Sequence, residues 1–123
     1  MPQDYRLLTI ESRQDDEILV VCLRGIDLID RIYAQDFQRE LSLLIQERQP
    51  GKLVVSFRNL GLCSTEVVNG MLQVRQQMLA VQGRLALCEM SPQIRQVFRV
   101  LNLEQTVFEI YDALEDATLA LAS

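Results

Sequence analysis

Short apolar runs alternate along the chain with longer stretches in which apolar residues recur at helical spacing. Residues 5–10 and the run Ile18-Leu19-Val20-Val21-Cys22-Leu23-Arg24 read as strands. The acidic cluster Asp15-Asp16-Glu17 between them marks the turn of a hairpin. Gly25 opens a loop from Ile26 to Tyr33. From Ala34 the period changes, and Ala34, Phe37, Leu41, Leu44, Ile45 and Arg48 fall on one face of a helix that Pro50-Gly51 stops. Residues 53–57 are nearly all apolar and partly β-branched, as suits a strand covered on both faces. After a loop over 58–62 comes a helix over 64–82. Its stripe is Val68, Met71, Leu72, Arg75, Met78 and Leu79, and Gly83 is its C′ residue.

Residues 85–88 form a further short strand. Ser91-Pro92 then gives a side-chain N-cap with proline at the first helical position, where its missing N–H is harmless. Ile94, Val97, Phe98 and Leu101 make the buried face of that helix, and Asn102 its left-handed stop. Residues 107–111 are the last strand. Asp112 and Glu115 have capping-box spacing ahead of a final helix that buries Leu114, Ala117 and Leu121. The order ββαβαβαβα predicts an α/β fold, a mixed, mainly parallel sheet of about five strands with about four helices and right-handed crossovers.

The length of 123 residues suits a single domain over residues 1–123, with a core that needs no metal or disulfide. Twelve Lys and Arg against 17 Asp and Glu leave a net charge of −5, which argues against a nucleic-acid or anionic-membrane partner. Histidine is absent, which removes the commonest general base and any Ser-His or Cys-His nucleophile pair. Cys22, Cys63 and Cys88 form no CxxC pair, so no metal or other cofactor is expected. Cys22 and Cys88 end apolar runs and read as buried thiols. The start of the chain lacks a secretory pattern and no apolar stretch reaches the ~18 residues of a membrane span, so the expected compartment is the cytoplasm.

Candidate chemistry concentrates where a strand hands over to a helix, in Leu60-Gly61-Leu62-Cys63-Ser64-Thr65-Glu66. The unsatisfied N–H groups of a helix's first turn, with an effective charge of about +0.5, stabilise a capping hydroxyl and, more strongly, a phosphorylated one. Ser64 is thus a residue the fold could carry in two charge states. Its plain alternative, and that of Thr65, is an ordinary N-cap. Cys63 as a nucleophile would need an arginine six residues on in a phosphatase-type loop, and Asn69 stands there. With no histidine to activate it, Cys63 reads as a packed residue.

Residues 52–72, Lys-Leu-Val-Val-Ser-Phe-Arg-Asn-Leu-Gly-Leu-Cys-Ser-Thr-Glu-Val-Val-Asn-Gly-Met-Leu, resemble the central segment of the STAS family, the anti-sigma-factor antagonists. There an apolar strand leads to an Asp-Ser-Ser/Thr-Gly-Leu-Gly-type motif that opens a helix. The strand, Ser-Pro turn and helix over 83–103, and the strand and acidic helix after Val107, extend the similarity to about residues 17 to 121. The resemblance implies a non-enzymatic regulator that binds an anti-sigma factor with a serine-kinase fold and is reset by a PP2C-type phosphatase. It places Ser64 on the phosphorylated serine, with Thr65 as the hydroxyl beside it. Cys63 replaces the frequent aspartate and Glu66-Val67-Val68 replaces Gly-Leu-Gly, so an added carboxylate stands beside the site. The partner is expected to dock on Asp27, Ile29 and Asp30 of the Ile26 to Tyr33 loop, on Cys63, Thr65 and Glu66, and on Met90. Met71 and Met78 are expected in the core, and Glu47, Arg48, Arg95, Arg99 and Glu104 on a solvated face. An exposed sheet edge at the hairpin leaves monomer and dimer open. The departures at 63 and 66–68 favour a second possibility, a STAS-like scaffold or ligand-sensing module that is never phosphorylated.

Overall fold

The computed structural model describes residues 8–13, 18–23, 31–58, 60 and 65–122. Strands β1 (Leu8–Arg13) and β2 (Ile18–Leu23) are followed by helix α1 (Arg31–Arg48) and strand β3 (Lys52–Ser56). Then come α2 (Thr65–Ala80), β4 (Arg84–Cys88), α3 (Pro92–Val100), β5 (Glu109–Tyr111) and α4 (Leu114–Ala122). The strands form one sheet in the order β1-β2-β3-β4-β5. β1 pairs antiparallel with β2, and the remaining four strands run parallel. The expected ββαβαβαβα order and mainly parallel α/β sheet are present.

Because β2 to β5 lie side by side in chain order, right-handed crossovers all fall on one face of the sheet. That face carries α1, α2 and α3. Leu19, Val21, Leu23, Leu53, Val55, Phe57, Leu85, Leu87 and Ile110 meet Phe37, Leu41, Leu44, Val67, Met71, Val74, Ile94 and Phe98 there. The alternate residues Ile18, Val20, Val54, Ala86 and Cys88 point to the other face, against Leu114, Ala117 and Leu121 of α4. Burial on both faces is why β2, β3 and β4 read as continuous apolar runs. Phe98 joins the layers, its ring edge-on to Phe57 (centroids 6.3 Å apart) and to Phe108 (5.6 Å).

The structure moves several predicted boundaries. β1, described over Leu8–Arg13, extends three residues past its expected end at Ile10, because its backbone pairs Glu11, Ser12 and Arg13 with Val20, Leu19 and Ile18, and the expected residues 5–7 lie outside the described residues. An edge strand is recruited by the ladder, and its polar residues do not prevent it. α1 begins at Arg31, so residues 31–33 are helix and not loop. Arg48, which continues the Phe37 and Leu41 face of α1 by spacing, is exposed in the last turn of that helix.

On α2 the buried set is Val67, Val68, Gly70, Met71, Val74 and Met78, whereas Leu79 is half exposed. The helix is covered from two directions, by the sheet and by α1, and Gly70 lets α1 approach. A Cβ there would lie 3.1 Å from Gln38 Cβ. The C′ residue of α2 is Gln82, at φ 58, and not Gly83. Gly83 is the next residue, and its N–H bonds Met78 O (2.8 Å) while that of Gln82 bonds Leu79 O (3.0 Å). Asn102 is the left-handed stop of α3, as expected, at φ 62. Leu101 is not part of the buried face, being 45% exposed. Asp112 does not box with Glu115. α4 starts at Leu114, and the Asp112 carboxylate is held by Arg95.

Candidate functional site

The carboxyl ends of the parallel strands and the starts of α2 and α3 lie at one end of the sheet. At β3 the exit path is fixed by backbone bonds, Phe57 N–H to Cys88 O (3.0 Å) and Leu60 N–H to Phe57 O (3.0 Å). α2 opens with Thr65, which is exposed, and Glu66, whose acidic side chain in the first turn complements the positive helix end. α3 opens under a cap, with Ile94 N–H donating to Ser91 Oγ at 3.2 Å and Pro92 next to the cap. Ser91 and Pro92 act as the sequence predicts.

Between these two helices lies an apolar groove of about 250 Å³ lined by Thr65, Gln96, Val97, Val100 and Leu101. Val100 is 71% exposed, so the groove is open to solvent. α3 is held in place as one wall by a charged network. Arg95 donates to Glu104 Oε1 through Nη2 (2.8 Å) and Nε (3.0 Å) and also reaches Asp112, while Arg99 Nε bonds Glu104 Oε2 at 3.2 Å. The hydrogen bond from Arg95 holds the Glu104 carboxyl below the usual carboxylate range. These residues were expected on a solvated face, yet Arg95 and Glu104 are largely covered because they clamp α3 to the segment before β5. Glu47 and Arg48 are exposed as expected.

The strand ends carry two buried thiols, Cys22 and Cys88, as expected. Burial pushes the Cys88 thiol up to about 12, so it stays protonated and unreactive. Among the described residues no three His, Cys, Asp or Glu side chains are grouped to hold a metal. What this end of the molecule offers is an exposed threonine at a helix terminus beside an open apolar groove.

Of the residues singled out in the sequence, Thr65 and Glu66 come together at the start of α2. Met90 is half-buried and packs against the core, although it leads into α3 from the same end. Met71 and Met78 are buried. Asp27, Ile29, Asp30, Cys63 and Ser64 lie outside the described residues. The groove residues Val100 and Leu101 were missed. Their signal was present, since Val97, Val100 and Leu101 share an i, i+3, i+4 stripe beside the core stripe of the same helix.

The profile of the STAS domain matches residues 9–117. The chain belongs to the STAS family. Over 105 residues this STAS domain is 28% identical to BtrV of Bordetella bronchiseptica, a protein classed by name as an anti-sigma factor antagonist. That match covers 85% of this chain and 87% of BtrV. Its fold is similar to that of TM1081 from Thermotoga maritima, classed in the same way, with a TM-score of 0.81 at 14% identity over 97% of both chains. It is similar also to the unphosphorylated form of the anti-sigma factor antagonist SpoIIAA, with a TM-score of 0.74 at 24% identity over 91% of this chain and 92% of SpoIIAA. The phosphorylated form of the same Bacillus protein gives 0.69 at 23% over 94% and 99%. The chain is thus an anti-sigma-factor-antagonist-like STAS domain. None of its described helices is long and apolar enough to cross a membrane.

Proposed function

We propose that this STAS domain is a protein-binding switch. In its unmodified form it binds an anti-sigma factor with a serine-kinase fold, and phosphate on the Ser64-Thr65 pair releases that partner. The observation that carries this reading is the exposed Thr65 at the start of α2, beside the groove formed with α3. The sequence relative is classed as an anti-sigma factor antagonist, and the structural relative SpoIIAA exists in phosphorylated and unphosphorylated forms. A phosphate here brings about −1.5 to −2 charges to the positive end of a helix, which the fold tolerates. The docked partner does not. Desolvating a dianion inside a contact without an arginine opposite costs several kcal/mol, enough to lose a few decades of affinity. A PP2C-type phosphatase resets the switch, and the chain itself contributes binding and no catalysis.

One observation favours a second reading, an unphosphorylated scaffold or ligand-sensing module. Glu66 places a carboxylate in the first turn of α2, next to Thr65, where it would repel an added phosphate. The two readings separate in one experiment. Wild type, Ser64→Ala, Thr65→Val, Ser64→Asp and Thr65→Asp are incubated with candidate anti-sigma kinases and ATP, then followed by intact mass and pull-down. The switch predicts one added phosphate, abolished by Ser64→Ala or by Thr65→Val, and weakened retention of the matching Asp variant. Equal retention of all five with no added phosphate supports the scaffold.

A further inference from the structure

Ser56 is the last residue of the central strand β3 and is fully buried, a position where an interior parallel strand ordinarily carries an aliphatic residue. A buried hydroxyl is tolerated only when its bonds are made. Ser56 Oγ donates to Glu89 Oε1 at 2.7 Å and accepts from the backbone N–H of Arg58 at 3.3 Å. Glu89 is itself unusual, being a non-glycine residue at φ 59, immediately after β4. Its N–H bonds Tyr111 O of β5 at 3.3 Å. Two unfavourable local choices, a buried hydroxyl and a left-handed glutamate, thus compensate each other across adjacent strand ends. Such compensated strain marks a place where geometry is held in preference to stability.

What the bond holds follows from where the two strands end. Ser56 closes β3 at the end of the sheet where α2 opens with Thr65, and Glu89 follows β4 and leads through Ser91 into α3. Those two helices supply the two walls of the groove, Thr65 on one side and Gln96, Val97, Val100 and Leu101 on the other. The same edge continues to β2, because Arg58 Nη2 reaches Cys22 Sγ at 3.4 Å. We propose that Ser56 and Glu89 are a positioning pair whose hydrogen bond fixes the separation of the α2 and α3 walls and so the presentation of the Thr65 hydroxyl. Neither residue touches the phosphate or the partner. The role rests on the switch function proposed above, whereas the geometric claim stands without it.

The test uses the full chain as wild type, Ser56→Ala, Glu89→Gln and Glu89→Ala, with amide hydrogen exchange read by peptide. Ser56→Ala places a small apolar residue in a buried site and leaves Glu89 free to be hydrated, so it folds. Its peptides over 65–70 and 89–97 are expected to exchange about tenfold faster, the value of one lost hydrogen bond, with α4 unchanged. Glu89→Gln keeps the accepting Oε1 and exchanges as wild type, whereas Glu89→Ala matches Ser56→Ala. With a kinase that modifies the wild type, Ser56→Ala lowers the rate of phosphate incorporation about tenfold and Glu89→Gln leaves it unchanged. Exchange in Ser56→Ala that is unchanged, or raised equally in α4, overturns the positioning claim. If no kinase modifies the wild type, the switch function fails while the exchange result still decides the geometry.

Discussion

Spacing in the sequence places Phe98 and Leu101 on the same buried stripe of α3, but the structure separates them. Phe98 is fully buried, and its ring meets Phe57 and Phe108 edge-on. Truncating it to alanine removes the ring from between Phe57 and Phe108 in the core and is expected to destabilise the fold by about 3–5 kcal/mol. Two edge-to-face pairs, each worth about 0.5–1.5 kcal/mol, make up part of that loss. At roughly 3–5 °C per kcal/mol for a chain of this length, the melting temperature falls by roughly 10–25 °C. Leu101→Ala removes a side chain that is already 45% exposed, and costs under about 1 kcal/mol. The assay is urea unfolding of both variants, with thermal unfolding alongside and unchanged m values as the check on two-state behaviour. The account requires Phe98→Ala to be the more damaging by at least ~2 kcal/mol. If the two variants fall within ~0.5 kcal/mol of each other, the assignment of Leu101 to the groove and Phe98 to the core is wrong.

Two further outcomes follow from individual sites. Gly83→Ala is expected to destabilise by ~1–3 kcal/mol, because its Cβ would stand 2.7 Å from Met78 Cε and 3.0 Å from Gly51 O. Gly51→Ala, whose Cβ meets nothing within 4 Å, is expected to change little, and thermal unfolding distinguishes the two. The Cys88 thiol, raised from 9.0 to about 12 by burial, favours the folded state fully below 9. That contribution is lost as pH climbs from about 9 to about 12. Cys88→Ala should therefore flatten the alkaline limb of the stability curve. In the native wild type, iodoacetamide at about pH 8 should leave the Cys88 peptide unmodified.

The α/β order, the parallel sheet and the Ser91-Pro92 cap were legible because each rests on chain-local chemistry. Two-sided burial writes a continuous apolar run, a capping serine needs only the next turn of helix, and Asn102 tolerates φ 62 by itself. What the sequence hid depends on neighbours distant in the chain. The burial of Val67 and Val74 comes from α1 lying across α2, and Gly70 is small because Gln38 and Phe37 approach it. Gln82 takes the left-handed position because Gly83 is reserved for the close approach of Met78 and Gly51. The edge strand β1 extends through Arg13 because β2 offers it a ladder. Of the site, the start of α2 was visible in the strand-to-helix transition. The groove with α3 and the Ser56 to Glu89 bond were not, since both join segments more than 30 residues apart.

The switch itself is tested most directly by calorimetric titration of one anti-sigma kinase, captured with the unmodified chain, against two forms of this protein. One form is unmodified and the other carries a single phosphate on the hydroxyl that intact-mass mapping assigns, at Thr65 or Ser64. The account predicts affinity at least about a hundredfold weaker for the phosphorylated form, equivalent to ~2.7 kcal/mol. Equal affinity of the two forms would contradict it.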